Sequence, residues 1–475
     1  MKEVVDSLVK EALSAAEKIK LTSEKIRILS HYDCDGISSA AIMVKTLMRE
    51  KKSFHLSIIK QLTEDEIEML SKSDERFFIF LDFGAGQLDL IQEKLKDATI
   101  IIADHHQPQG EIRTDSSIIH INPTHFGITE NISGSGVTYL IARGVNPENI
   151  DLSELAIIGA IGDSQAGSIG ADWGVSGINR EILKDAESVN KIKVKKGLRL
   201  WGMNTRPLHK VLEYSSDPAI PNISGSESGA VQFLNELNID LKNGDGDWRT
   251  LAELTLEEQQ KLASGIIRER IRGGEDNPDW IFGDVYELPG RETMFSNASE
   301  FATMVNACGK LNQSYLGIAL CFNDVKLSQN VKTMLKKYRK EIGTALSWVQ
   351  KNPDAMKRGE VANYIFAEDN ISEHIISNVT SILSKSNFSD KPLFAFAHTE
   401  DSKVKVSARA SDEDVRKGVN LKEVVAIASK EVGGEGGGHI GSAGATIPKD
   451  TVERFINSTN SILKNVVNTH GTAKS

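Results

Sequence analysis

The chain has little of what marks secreted or membrane-bound proteins. Its three cysteines, Cys34, Cys308 and Cys321, are far apart and form no CxxC or CxxH pair, so a reducing cytosol fits them best. No apolar run approaches the roughly 20 residues that a membrane-spanning helix needs. Residues 1–20 intersperse lysine and glutamate with apolar residues at helical spacing, which indicates an amphipathic helix rather than a signal peptide. These absences predict a soluble, cytoplasmic protein with no membrane partner.

The charge balance also lacks the overall basic excess of a protein that simply coats DNA. Lysine and arginine number 56 against 66 aspartates and glutamates, which gives a net charge of −10. Nucleic acid is not excluded, because a local groove can be basic on an acidic protein. A dense basic stretch, residues 191–210, surrounds Trp201 and predicts either a surface that follows a nucleic-acid backbone or a solvated helix face.

The chain is long enough for two or three domains. Apolar runs alternate with helical patterns from residue 25 to about residue 165, which favours a doubly wound α/β domain with a mostly parallel sheet, assigned to residues 1–215. Residues 216–385 are largely helical in pattern and form a middle segment. Residues 386–475 predict a smaller C-terminal α/β domain.

The chemistry of the chain is concentrated in four short segments rich in aspartate and histidine. Three of them directly follow apolar runs at residues 25–30, 77–81 and 99–103, which have the length and composition of buried parallel strands. The fourth ends a helical run at residues 155–162. The segments are His31-Tyr-Asp33-Cys-Asp35-Gly36, Asp82, Asp104-His105-His106 and Asp163.

These segments predict a divalent-metal site. Carboxylates at the carboxyl ends of neighbouring parallel strands converge on one crevice. So many acids and imidazoles would be costly to desolvate together unless cations lay among them. Each motif alone also fits a solvated turn, because aspartate and glycine are common turn residues. Residues 33–36 resemble the start of an EF-hand loop, but the third acid and the terminal glutamate are missing and a strand precedes them.

A glycine-rich run near the C-terminus has three interpretations. Gly436-Gly-Gly438-His-Ile-Gly441 formally satisfies G-x-G-x-x-G, but a helix-like stretch rather than a strand precedes it, which argues against a dinucleotide site. The second interpretation is a flexible linker. The embedded His439 favours the third, a loop that binds phosphate through backbone N–H groups.

Taken in order, the motifs resemble the DHH phosphoesterase superfamily. The HxDxDG pattern at residues 31–36, the lone Asp82, the DHH triplet at residues 104–106 and the Gly162-Asp163-Ser164 segment follow the order of that family. Residues 407–409 and 436–439 resemble its DHH-associated C-terminal domain.

One further segment points to a branch of the superfamily. His31 together with residues 300–309 is most similar to archaeal RecJ-like exonucleases, whose eukaryotic relative is a component of the replicative helicase. In this segment Glu300 and Asn306 either contact substrate or pack a helix, and packing is favoured.

The resemblance implies a site for two Mn²⁺ or Mg²⁺ ions, with Asp82 bridging them. The implied ligands are His31, Asp33 and Asp82 for one ion, and Asp35, Asp82, His105 and Asp163 for the other. Two ions close together can share a hydroxide, lower its pKa and neutralise a phosphoryl oxygen during in-line attack.

The resemblance also implies contacts with substrate. His106 is expected to face the scissile phosphate, and Asp104 to orient a ligand histidine from behind. The expected phosphate contacts of the C-terminal domain are Ser407, Arg409, Gly436, Gly437, Gly438 and His439. The active site is then expected in the cleft between domains.

The function implied is a metal-dependent exonuclease that hydrolyses phosphodiester bonds of single-stranded DNA, RNA or both, in DNA replication or repair. One alternative is a short-oligonucleotide (nanoRNA) hydrolase or phosphoadenosine phosphatase, although the chain is longer than such small enzymes require. Another is a replication-helicase scaffold. The resemblance suggests that residues 216–385 dock a GINS-like partner, and such a role does not exclude catalysis.

Overall fold

The structure is a computed structural model. It describes residues 2–112, 117–128, 131–167, 174–215, 219–275, 277–384, 390–399, 401–438 and 440–471. The chain divides into two compact units, Met1–Val331 and Lys332–Ser475. The sequence predicts boundaries after residues 215 and 385; the latter position lies inside the second unit, because strands on either side of it pair in one sheet.

The first unit is built on a parallel sheet of the order β2-β1-β3-β4-β5. Its strands are β1 (Ile26–His31), β2 (Phe54–Ile59), β3 (Phe77–Leu81), β4 (Thr99–Ala103) and β5 (Ile118–Ile121). The three runs that the sequence predicts as strands are therefore confirmed. Strand β3 is buried at every position, as expected for a central strand covered on both faces.

Helices cover both faces of this sheet, as a doubly wound fold requires. They are α1 (Lys2–Leu21), α2 (Cys34–Arg49), α3 (Glu64–Ser71), α4 (Leu88–Lys94), α5 (Gly134–Val145), α6 (Ser153–Gly162) and α7 (Ile178–Ser188). The chain moves in one direction along the sheet through α2 and in the opposite direction through α3 and α4. Right-handed crossovers therefore place α2 on the face opposite α3 and α4.

A helical domain is inserted after this α/β region. Strands β6 (Lys193–Leu198) and β7 (Phe282–Glu287) pair antiparallel and bracket residues 199–281, which we call the inserted domain. It contains α8 (Leu208–Glu213), α9 (Glu227–Glu236) and α10 (Leu256–Arg272), packed around a separate apolar core. Helices α11 (Ala298–Lys310), α12 (Ser314–Cys321) and α13 (Val325–Lys351) follow, and α11 packs against α2 and α6.

The second unit contains a mostly antiparallel sheet of the order β12-β13-β11-β10-β9-β8. The strands are β8 (Met356–Arg358), β9 (Asn363–Glu368), β10 (Leu393–His398), β11 (Lys403–Arg409), β12 (Glu435–Gly438) and β13 (Ser442–Pro448). The helices are α14 (Ile376–Ser384), α15 (Asp412–Arg416), α16 (Leu421–Glu431) and α17 (Val452–Gly471). Only β9 and β10 pair in parallel, and α14 forms the crossover between them.

The glycine run corrects one sequence prediction. Gly436, Gly437 and Gly438 are neither a loop nor a linker, because they form edge strand β12 and pair with Ala445, Gly444 and Ala443 of β13. His439 lies outside the described residues. No helix in the described part of the chain is long and apolar enough to cross a membrane.

Candidate metal centre

The first part of the site lies where β1 ends and α2 begins. His31 is the last residue of β1, and Asp33 caps α2 by accepting a hydrogen bond from the Gly36 N–H at 3.0 Å. The His31 Nδ1 atom lies 3.1 Å from Asp33 Oδ2 and 3.5 Å from Asp82 Oδ2. The strand end and the helix cap thus bring these side chains together.

Asp82 occupies the centre of the site. It follows β3 with a φ of 61°, a left-handed conformation that aspartate tolerates better than most residues. Its side chain is 2% exposed. Its two oxygens face different partners, because Oδ2 faces His31 and Oδ1 lies 3.4 Å from His105 Nε2.

Asp35 projects from the first turn of α2 and is anchored by another helix. Its carboxylate accepts hydrogen bonds from the N–H groups of Gly134 at 2.6 Å and Ser135 at 3.0 Å, at the start of α5. A helix N-terminus carries partial positive charge, so it stabilises this buried carboxylate. The anchored Asp35 Oδ2 lies 3.8 Å from His105 Nε2.

Asp163 completes the cluster from the C-terminal end of α6, as the sequence predicts. Its Oδ2 atom lies 3.6 Å from His105 Nε2 and accepts a hydrogen bond from Gln165 Nε2 at 2.8 Å. Gln165 is held in turn by Asn179, which donates to its side-chain oxygen at 2.7 Å. Neither orienting residue was predicted, and their signal in the sequence is weak: Gln165 lies two residues after the candidate ligand Asp163.

Asp104 supports the site from outside the groups of candidate ligands. Its Oδ1 accepts from the N–H groups of His105 and His106 and contacts His106 Nδ1 at 2.8 Å, while Oδ2 accepts from the Ala85 N–H. The sequence predicts that Asp104 orients a ligand histidine, whereas the ring that it contacts is that of His106. A second side chain, Asn122, fixes the same residue by donating to the His106 carbonyl oxygen at 2.9 Å.

Three overlapping groups of these side chains could hold a metal ion, with ligand atoms within 4.8 Å of one another. Two of them reproduce the sets implied by the sequence, except that Asp82 appears with His31 and not in the set of Asp163. The third group adds His106, which the sequence does not predict as a ligand. The groups are His31, Asp33 and Asp82; Asp35, His105 and Asp163; and Asp82, His105 and His106.

Four of the candidate ligand atoms are buried without hydrogen-bond partners, as expected for atoms that bind a metal ion. Within the described ranges, His31 Nδ1, both Asp82 carboxylate oxygens and His105 Nε2 make no hydrogen bond. A buried polar atom without a partner is costly, so native proteins keep few of them. Imidazole nitrogens and carboxylate oxygens together suit a divalent ion such as Mn²⁺. The residues present therefore fit a metal centre.

The electrostatics of the cluster lead to the same conclusion. Burial, together with the negative charges of Asp35 and Asp33, raises the pKa of Asp82 to about 7. Burial and Asp35 raise the pKa of Asp163 to about 6. Burial opposes a charge on His105, but its contact with Asp82 and the surrounding carboxylates raise its pKa to about 10. Protons thus balance the clustered negative charge, and divalent cations could replace them.

Helix α11 supports residues 31–36 from a distant part of the chain. We call these residues, which carry three of the candidate ligands, the metal-ligand loop. Asn306 Oδ1 accepts a hydrogen bond from the Cys34 N–H at 2.7 Å, between the candidate ligands Asp33 and Asp35. A Cβ atom on Gly309 would lie 1.7 Å from the Tyr32 carbonyl oxygen, so only glycine permits this approach. These contacts support a structural role for Asn306.

The predicted phosphate-binding residues of the second unit lie on β11 and β12. Ser407 is 2% exposed, and its Oγ has no hydrogen-bond partner among the described residues. Arg409 donates to the Ala408 carbonyl oxygen at 2.8 Å, and burial lowers the pKa of its guanidinium. No carboxylate in the described part of the chain forms an ion pair with Arg409. A half-buried guanidinium of this kind can bind an anion.

The basic stretch at residues 191–210 is partly neutralised. Lys195 and Lys196 lie on β6 and form ion pairs with Glu287 and Asp284 on β7. Lys210 pairs with carboxylates of the inserted domain. The pairing favours a charge-balanced surface over a continuous basic track.

Comparison with known proteins identifies the class. Residues 25–162 match the DHH family, N-terminal domain, residues 200–279 match the DHH-CID domain, and residues 361–465 match the DHHA1 domain. The doubly wound sheet, the aspartate and histidine cluster at its carboxyl edge and these matches agree: the chain belongs to the DHH superfamily. Within that superfamily it is RecJ-like.

Two relatives show how much of this chain is similar in sequence to other proteins. The chain is 31% identical to an uncharacterized protein of Methanocaldococcus jannaschii over 469 residues, covering 98% of this chain and 99% of the relative. It is 29% identical to the single-stranded-DNA-specific exonuclease RecJ of Bacillus subtilis over 174 residues, which cover only 21% of that protein. The second similarity is therefore local.

Two solved structures share the fold. RecJ from Thermus thermophilus in complex with Mn²⁺ matches with a TM-score of 0.56 at 16% identity, over 96% of this chain and 55% of that one. CDC45 from Entamoeba histolytica matches with a TM-score of 0.64 at 11% identity, over 98% of both chains. At these identities the likeness concerns the fold alone.

Proposed function

We propose that this protein is a divalent-metal-dependent exonuclease that hydrolyses phosphodiester bonds of single-stranded DNA, RNA or both, in DNA replication or repair. The observation that supports this proposal most strongly is the set of buried, unpartnered ligand atoms of His31, Asp82 and His105 at one edge of the sheet. The local similarity to a single-stranded-DNA-specific exonuclease supports the choice of substrate.

In this proposal Asp82 is shared between two ions, Mn²⁺ or Mg²⁺. His31, Asp33 and Asp82 would hold one ion. Asp35, His105 and Asp163 would hold the other together with Asp82, whose Oδ1 lies 3.4 Å from His105 Nε2. When bound, such ions activate water as a nucleophile and neutralise charge on a phosphoryl oxygen. The protein holds the ligands in place, since the start of α5 fixes Asp35 and Gln165 fixes Asp163.

In this proposal His106 contacts the substrate and does not bind a metal ion. Burial opposes its charge, but the hydrogen bond with Asp104 and the charge of that carboxylate raise its pKa to about 8. Asp104 occupies Nδ1 of the ring and favours its protonated form. A protonated imidazole can donate to a phosphate oxygen or protonate a leaving group.

The second unit is assigned to phosphate binding. Arg409 would bind phosphate oxygens through its guanidinium, with Ser407 on the same face of β11. Edge strand β12 would present backbone N–H groups of Gly436 to Gly438, followed by His439. Variants Arg409→Ala and His439→Ala should bind nucleic acid more weakly without losing metal.

Degradation of end-labelled single strands tests the proposal. DNA and RNA strands with either end blocked are incubated with wild type and with Asp82→Asn, in Mn²⁺ and in Mg²⁺. Stepwise shortening by wild type alone is the expected result, with Mn²⁺ at least as effective as Mg²⁺, because two imidazoles suit Mn²⁺ better. Cleavage of only the shortest oligonucleotides would favour the nanoRNA hydrolase, and failure to cleave any strand would refute nuclease activity.

The fold similarity to CDC45 favours a second function, a replication scaffold that binds a GINS-like factor. The two functions are not exclusive. Every predicted ligand position is filled in this chain, which supports a metal-binding role over a scaffold whose ligands have been lost. Calorimetric titration with Mn²⁺ distinguishes them, since a purely structural scaffold need not bind the ion.

A further inference from the structure

The inserted domain exposes an aromatic cluster that the hydrolytic site does not use. Trp201 is 38% exposed and Tyr214 is 50% exposed. The Arg206 guanidinium carbon lies 3.8 Å from the centre of the Trp201 ring and 5.1 Å from that of Tyr214. A further cation, Lys210 Nζ, lies 5.8 Å from the Tyr214 ring. We call Trp201, Arg206 and Tyr214 the aromatic ladder.

The turn at residues 202–206 holds the Arg206 side chain against the Trp201 ring. Gly202 has a φ of 92°, and a Cβ atom there would lie 2.7 Å from Arg206 Cδ. The Arg206 N–H donates to the Gly202 carbonyl oxygen at 2.9 Å, which closes the turn. Any side chain at position 202 would push the guanidinium away from the indole, so the turn holds cation and ring together.

Helix α11 forms hydrogen bonds both to this turn and to the metal-ligand loop. Buried Glu300 accepts hydrogen bonds from the Asn204 N–H at 3.1 Å and the Thr205 hydroxyl at 2.7 Å. The Trp201 indole N–H donates to Thr303 Oγ1 at 3.1 Å. Asn306, the next residue along the same helix face, bonds the backbone between the metal ligands.

The ladder is therefore held close to the metal centre. Glu300, Thr303 and Asn306 are spaced three residues apart and lie on successive turns of α11. From Glu300 to Asn306 the helix rises about 9 Å, at 1.5 Å per residue. A single-stranded substrate at the metal centre would need to extend only a few nucleotides to reach the ladder.

We propose that the aromatic ladder stacks the bases of single-stranded nucleic acid whose backbone is bound at the metal centre. This inference rests on the proposed function and adds a base-binding surface to it. Aromatic faces flanked by cations bind bases with little sequence preference. The Arg206 guanidinium, which lies against both rings, favours a polyanion over an apolar protein surface as the occupant.

Direct binding tests the ladder without requiring turnover. Fluorescence anisotropy compares oligothymidylate of about 12 residues, within the usual site size, with an abasic strand of equal length. Both carry phosphorothioate linkages, which resist hydrolysis. Wild type should bind the base-bearing strand more tightly. Trp201→Ala and Tyr214→Ala should each weaken that binding at least about fivefold, the lower end for one lost base stack, and leave binding of the abasic strand unchanged.

Two variants control for folding and for general loss of an exposed ring. Trp201→Phe keeps an aromatic face and should retain most of the affinity. Trp248→Ala removes an indole that is 47% exposed on the same inserted domain, where it packs on His209 and Lys242. Its affinity should match wild type. The salt dependence of Trp201→Ala should also match wild type, because no phosphate contact is lost.

Equal affinity of wild type for the base-bearing and abasic strands would overturn the base-stacking proposal. Unchanged binding by Trp201→Ala would also overturn it. The latter result would favour a protein partner for this surface. The ladder and the nuclease can fail separately. Hydrolysis with no base-dependent binding refutes the ladder alone, whereas base-dependent binding without hydrolysis of any strand refutes the nuclease alone.

Discussion

At the scale of single residues, Asp82 is the residue on which the site depends most. It contacts the imidazoles of both His31 and His105 through different oxygens, and its backbone adopts a left-handed conformation to do so. An asparagine tolerates the same backbone conformation but lacks the negative charge. This makes Asp82→Asn a better probe than alanine, because the fold should be retained.

Asp82→Asn should lower the hydrolytic rate at least about a thousandfold, because metal-ion stabilisation of the transition state amounts to several kcal/mol. The rate on a labelled single strand provides the measurement. Asp74→Asn, at an exposed carboxylate of the same unit, is the matched control and should behave as wild type. A folded Asp82→Asn protein with near-normal turnover would contradict the two-metal assignment.

His105 and His106 should differ in what they contribute. His105 Nε2 faces Asp82, Asp35 and Asp163, so His105→Ala should weaken Mn²⁺ binding itself. His106 is held by Asp104, so His106→Ala should keep most metal binding and lose rate. Calorimetric titration with Mn²⁺ separates the two. Equal loss of affinity in both variants would instead assign His106 to the metal, as the third ligand group allows.

At the scale of secondary-structure elements, the ligands are placed by the ends of strands and helices. Strands β1, β3 and β4 end at or just before a ligand segment, while α5 and α6 contribute a helix N-terminus and a helix C-terminus. Helix α11 adds a contact that the local sequence around the ligands does not reveal. Its Gly309 lies directly against the carbonyl group of Tyr32.

Gly309→Ala should destabilise the first unit by about 1–3 kcal/mol, the usual cost of overpacking, and weaken Mn²⁺ binding because the ligand loop must move. Gly343→Ala, in the middle of α13, is the matched substitution at a position with open space around it. It should stabilise the protein by about 0.5–1 kcal/mol through helix propensity. Denaturant unfolding and metal titration of both variants give the comparison. Similar effects at the two positions would argue against the contact between α11 and the loop.

At the scale of the whole molecule, all proposed metal ligands belong to the first unit, Met1–Val331. A ligand that binds only the folded state stabilises what it binds to. The two compact units of one chain should therefore respond differently to metal.

Saturating Mn²⁺ should increase the stability of wild type by about 2.7 kcal/mol at a hundredfold excess over the dissociation constant. Hydrogen exchange measured by mass spectrometry should show the added protection in peptides from residues 26–36, 77–82 and 99–106. Peptides from the second unit should change little, and a chelator should reverse the effect. Protection that is unchanged by Mn²⁺, or equally present in Asp82→Asn, would mean that the cluster is not the site of binding.

Local sequence patterns were enough to predict three strands of the first unit and the candidate ligands that follow them. Short β-branched and aromatic runs ending in aspartate or histidine specify both the strand and the residue at its carboxyl end, so β3 and β4 were predictable to the residue. The helical run before Asp163 was also predicted, and α6 ends at Gly162 with Asp163 as its C-cap.

The support that distant segments give to these positions could not be predicted from local sequence and is seen in the folded protein. The bond between Asn306 and Cys34, the contact of Gly309 with Tyr32 and the anchoring of Asp35 by α5 join residues far apart in the chain. Strand β12 shows the same limit, because a run of glycines has weak strand propensity and forms a strand only by pairing with β13. Local patterns specify periodicity and chemistry, whereas these contacts depend on packing between elements that a single sequence does not reveal.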